Sequence, residues 1–84
     1  MITIRVLDIL PPNGLLVSWR EPGLCNYTEQ RWSLRKAQFA GTCSLSGKAI
    51  QPGDRVYRPV GSPMNRGELI LAEAANQVAA IEMA

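Results

Sequence analysis

A chain of 84 residues holds one domain and a modest core. Its apolar fraction of 46% is ordinary for a globular protein, and no apolar run approaches the ~20 residues that cross a bilayer. The net charge of +2 is too small to imply a polyanionic partner by itself, and the absence of histidine removes the commonest general base and metal ligand.

The first segment, Ile2 to Ile9, alternates Ile2, Ile4 and Val6 with Thr3, Arg5 and Leu7, the period of a strand with one wet face. Pro11-Pro12-Asn13-Gly14 then forces a turn, with Asn-Gly expected to supply positive φ. Leu15, Val17 and Trp19 resume the alternation, so the two segments predict an antiparallel hairpin. Glu21 to Thr28 reads as a loop broken by Pro22-Gly23 and Asn26. Glu29 to Arg35 predicts a third strand, with Gln30, Trp32 and Leu34 on one face and Arg31, Ser33 and Arg35 on the other. A helical turn fits Arg35 to Ala40, and Gly41 would stop it.

Two turns follow, one tipped by Ser46-Gly47 and one at Gln51-Pro52-Gly53-Asp54 with the type II pattern. Arg55 to Val60 predicts a fourth strand, with Val56 and Arg58 opposite Arg55 and Tyr57. The last element is a helix over about 66–82, capped by Asn65 with Glu68 three residues on. Ile70 or Leu71, Ala74, Val78 and Ile81 form its apolar stripe. The expected fold is α+β: a small antiparallel sheet, made of an N-terminal hairpin and two further strands, packed on one C-terminal helix in a single domain over 1–84.

Reactive groups are scarce. The seven acids are scattered, and three of them lie on the expected helix. No catalytic residue, metal ligand set or cofactor is assigned. The segment Cys43 to Pro59 resembles a treble-clef zinc knuckle in outline. Ser46 stands where a second cysteine would be, and no further thiol or imidazole lies near the helix start, so four zinc ligands cannot be assembled. Cys43 then reads as a small buried apolar residue. Cys25 and Cys43 read as free thiols of a reducing compartment. The start MITIRVLDIL has neither a charged leader nor a small-residue cleavage site, so the cytoplasm is the expected location.

Charge is unevenly distributed. From Arg20 to Arg66 eight bases face three acids, and from Gly67 onward there are three acids and no base. Arg31, Arg35, Lys36, Arg55 and Arg58, with Tyr57 among them, form a candidate basic surface; the plainer reading puts Trp32 and Tyr57 in the core and the arginines on a solvated rim. A third feature is the arginine and proline-bounded loop Arg58-Pro59 to Asn65, read chiefly as helix capping.

The run GTCSLSGKAIQPGDRVYRP, with an upstream LLVSW strand and the Tyr27-x-x-Gln30-x-Trp32 element, resembles an uncharacterised proteobacterial family, domain of unknown function 3331. The resemblance covers about Ile4 to Ala74. It implies a bacterial origin and brings no activity or site residues; the family is read as a metal-free relative of treble-clef domains.

The expected function is a non-enzymatic binding or regulatory module acting through the basic surface. A protein partner is preferred, in the manner of small bacterial or phage-encoded inhibitors of larger complexes. The alternatives are nucleic-acid binding through the same cations and an enzyme using Cys43 or Asp54. The alanine-rich helix is also a candidate homodimer surface.

Overall fold

A computed structural model of the chain describes residues 1–83, and side-chain environments for 1–79. The elements are β1 (Thr3–Leu10), β2 (Gly14–Glu21), β3 (Cys25–Lys36), β4 (Gly41–Thr42), β5 (Ala49–Ile50), β6 (Arg55–Pro59), β7 (Ile70–Leu71) and α1 (Ala72–Met83). Five strands form one antiparallel sheet in the order β1-β2-β3-β6-β7, and β4 pairs with β5 apart from it. The helix contacts β1, β6 and β7, so it bridges both edges of the curled sheet. The α+β fold and its N-terminal hairpin are therefore as expected, with more strands.

Alternation decides which side chains enter the core, and two bulges correct it where the sequence slips. In β1, Ile4 lies opposite Trp19 and Val6 opposite Val17. Strict alternation would next bury Asp8. The register shifts between Val6 and Asp8 instead, so that Asp8 pairs with Leu16 and Ile9 with Leu15. The extra residue, Leu7, is left exposed. A second shift lets Val17 face Gln30 while Trp19 faces Tyr27. Thr28 and Glu29 share this bulge and are both exposed. Trp19 and Trp32 are fully buried with ring centroids 5.7 Å apart, tilted by 33°. They anchor a core that also holds Leu15, Val17, Ile70 and Ala75.

Four expectations need correction. The third strand begins at Cys25, not Glu29, because Pro22-Gly23 completes a tight turn by itself: Gly23 has φ 83°, and the Leu24 N–H donates to the Glu21 carbonyl at 3.0 Å. Gly14 does not supply positive φ. It is needed for closeness, since an added Cβ would lie 3.0 Å from both the Leu10 Cβ and the Leu10 carbonyl oxygen. The expected turn of helix after β3 does not form, and 37–40 is irregular.

The helix starts at Ala72 rather than Arg66, because Ile70–Leu71 adds a fifth strand opposite Tyr57 and Val56. Ile70 thus belongs to the sheet, and Asn65 lies seven residues ahead of α1, itself buried in an otherwise largely exposed loop. Ala74, Ala75 and Ala79 turn their faces into the chain's own core. The side chains of Ile81 and Glu82, both assigned to the helix, lie outside the described set.

Val56 is buried although it shares a face with exposed Arg58. The chain after β3 folds back over this end of the sheet. The Ala37 N–H donates to the Asp54 carbonyl at 2.8 Å, and the Gly53 N–H donates to the Ala37 carbonyl at 2.8 Å. The type II turn expected at Gln51–Asp54 is present, with Gly53 at φ 93° and the Asp54 N–H on the Gln51 carbonyl at 3.1 Å.

Candidate anion-binding groove

The β3–β6 ladder sorts the basic residues by face. Directly opposite residues of an antiparallel pair share a face. Ser33 lies opposite Arg58 and Arg35 opposite Val56, so Arg31, Arg35 and Arg58 belong to one face. Lys36 lies opposite Arg55 on the other face, together with Tyr57 and its partner Leu34. Tyr57 is 5% exposed and belongs to the core. It is therefore no part of a contact surface: it lies on the core face, flanked by Leu34 of β3 and Ile70 of β7. Arg55 and Lys36 instead bound a shallow recess with Asn13 and Leu34.

The arginine face opens onto a groove of about 620 Å³, whose lining includes Arg35, Phe39, Val56, Arg58, Arg66 and Leu69. Lys36 is also among its lining residues, and no Asp or Glu lines it. A second depression of about 460 Å³, around Ser33, Pro59 and Val60, shares Arg35 and Arg58 with the first. The two arginines thus join two concavities. The one phenylalanine of the chain, Phe39, is 77% exposed beside them.

Three of the nearby acids are engaged elsewhere. A Glu68 carboxylate oxygen accepts from the Ser44 hydroxyl at 2.8 Å, Asp54 accepts from the Gln51 N–H at 2.8 Å, and Glu73 meets Lys48 at 3.9 Å. That last contact is the single ion pair among the described residues, so Arg35, Arg58 and Arg66 have no carboxylate partner there.

Arg66 and Phe39 escape a linear reading. Arg66 looks like the first residue of the helix, and Phe39 like a residue in a weak helical turn. Their place is set by long-range bonds. The Gln30 amide exchanges two hydrogen bonds with the Asn65 amide, at 2.8 and 3.0 Å, and its oxygen also accepts from Trp32 Nε1 at 3.0 Å. The Tyr27 hydroxyl accepts from the Met64 N–H at 3.1 Å. The Arg66 N–H closes the turn onto the Pro63 carbonyl at 3.2 Å. Asn65 is 3% exposed and Gln30 is 7% exposed, so this buried pair pins the loop that carries Arg66.

The candidate reactive residues, Cys43 and Asp54, are not among the groove's lining residues. Cys43 is 1% exposed. Its Sγ accepts from the Ser46 N–H at 3.4 Å and from the Leu71 N–H at 3.3 Å. Burial pushes its thiol pKa up, but hydrogen bonds from Ser46 and from the backbone at Leu71, Ser46 and Leu45 outweigh it, and the net direction is down. Cys25 is unbonded to Cys43. Its pKa is raised by burial, then by the charge and hydrogen bond of Glu21. Among the described residues no three His, Cys, Asp or Glu gather as a metal site would require. No helix of the described residues is long and apolar enough to cross a membrane.

A family model for a domain of unknown function, DUF3331, matches residues 1–78. The chain belongs to that family. No curated protein and no solved structure matches it. In this DUF3331 chain the Tyr27-x-x-Gln30-x-Trp32 element has a physical role. All three side chains point toward the core side of β3: Trp32 anchors the core, while Tyr27 and Gln30 tether the loop at Met64 and Asn65. The Leu45-Ser46-Gly47 stretch of the signature forms a turn, with Gly47 at φ 76° donating its N–H to the Cys43 carbonyl at 2.9 Å.

Proposed function

We propose that this DUF3331 domain is a non-enzymatic binding module that engages an anionic partner through the groove between Arg35, Arg58 and Arg66. One observation carries the reading: three arginines line one concave surface that no acidic residue lines. A rim of structural cations would normally be interleaved with acids, and surface charges of both signs would then cancel. Here the imbalance is local and the site concave, so a bound anion meets an uncompensated field. Guanidinium groups suit this task because they hold carboxylate or phosphate oxygens through paired N–H donors.

Regulation of a larger bacterial assembly is compatible with this reading, as is cytoplasmic residence. The chain's knuckle also supports descent from a treble-clef domain that has lost its metal. Cys43 keeps the first ligand place and accepts backbone N–H bonds, as a thiolate ligand would, while Ser46 occupies the second place.

Retention on immobilised heparin tests the binding reading. The double variant Arg35→Gln/Arg58→Gln is expected to elute at lower salt than Arg5→Gln/Arg20→Gln, which removes the same charge from β1 and β2, outside the groove lining. Equal elution of the two variants would refute a localised site.

A further inference from the structure

Resting on the proposed anion-binding groove, we infer that its ligand is single-stranded nucleic acid, with one base stacked on Phe39 and the flanking phosphates held by Arg35, Arg58 and Arg66. The argument starts from Phe39. A phenylalanine that is 77% exposed contributes little to folding, while smaller apolar residues nearby, such as Ala37, are buried. Its loop is nevertheless tethered, because Ala37 is bonded in both directions to the 53–54 turn and β4 begins at Gly41. Phe39 thus shares the groove lining with the arginines, on a backbone anchored two residues earlier at Ala37. Around it the groove has room: Gly41 and Gly67 both line it, and an added Cβ at either would meet nothing within 4 Å.

An aromatic platform beside a cationic track is the combination that single strands require, since every base has a stacking face and every linkage a phosphate. An acidic protein segment would satisfy the arginines but has no systematic use for the ring. Duplex reading usually needs an element that enters a groove, such as a helix or a two-stranded ribbon. Here the cations line a depression and not a projection. The joined concavity beyond Arg35 and Arg58, around Ser33 and Pro59, gives the strand a path for a neighbouring nucleotide.

The test is fluorescence anisotropy with a labelled oligothymidylate of about 12 nucleotides, the same length of duplex, and a labelled oligoglutamate as the anionic comparator. Oligothymidylate is expected to bind best. With three phosphates neutralised, its affinity should fall roughly 20-fold between about 50 and 200 mM salt. Phe39→Ala should weaken it by at least about 5-fold without changing the salt slope. Arg58→Gln should lower that slope by roughly 0.7. If oligoglutamate or duplex binds as well as the single strand, or Phe39→Ala binds unchanged, the nucleic-acid inference is overturned while the anion-binding reading stands. If no probe binds at low salt, both fall. Phe39 and Arg58 are exposed, and unchanged near-ultraviolet signals from Trp19 and Trp32 would verify that the variants fold.

Discussion

Gln30 is the residue on which the groove depends most indirectly. It is buried, is not among the groove's lining residues, and yet holds Asn65, the neighbour of Arg66. It also satisfies the indole N–H of Trp32. Removing its amide leaves two buried polar groups without partners, and each such group costs about 1–3 kcal/mol. Gln30→Ala is therefore expected to lose about 2–4 kcal/mol of stability in urea titration, well beyond what an exposed substitution would cause. A loss under about 1 kcal/mol would mean that the buried amide pair is not holding the loop. Cys43 makes the contrasting case. It has the hydrogen-bond environment of a ligand but is enclosed by its own chain, which suits a structural role.

At the level of elements, turns set the path. The Gln51–Asp54 turn closes through Gly53 in a left-handed conformation and returns the chain to Ala37, fixing the base of the Phe39 loop. A Cβ at Gly53 has free space, so Gly53→Ala would act through backbone strain alone. The expected cost is about 1–2 kcal/mol, read as a lower urea midpoint with an unchanged slope. The helix illustrates how an element boundary moves. Asn65 and Glu68 have cap-like spacing, but Asn65 spends its side chain on Gln30 and Glu68 on Ser44. With both engaged, the chain makes one more strand pair at Ile70–Leu71 before α1 begins.

For the whole molecule, a single core joins sheet, knuckle and helix. Trp19, Trp32, Cys43, Ile50, Val56 and Ala75 all belong to one cluster. Unfolding should then be cooperative, and tryptophan emission and far-ultraviolet circular dichroism should report the same midpoint. Separate midpoints would show that the knuckle or helix is an independent unit. The helix face up to Ala79 is used internally, and the arginines lie on the opposite face of the sheet.

How much of this is written in the chain itself can be judged from particular residues. The period-2 pattern in β1, β2 and β3 assigns faces, because a side chain's face follows from its position alone. Arg31 and Arg35 therefore read as outward, with Trp32 inward, before any fold is known. The Pro-Gly pattern at 52–53 likewise marks its turn, since local sterics settle it. The bulges at Leu7 and at Thr28–Glu29, the strand at Ile70–Leu71 and the burial of Tyr57 depend on what pairs alongside them. So does the site: Arg35, Phe39, Arg58 and Arg66 are spread over 32 positions and meet only because β6 joins β3 and a buried amide pair holds the 65–66 loop. Local preference acts over a few residues, whereas convergence is decided by contacts between segments that the linear order keeps apart.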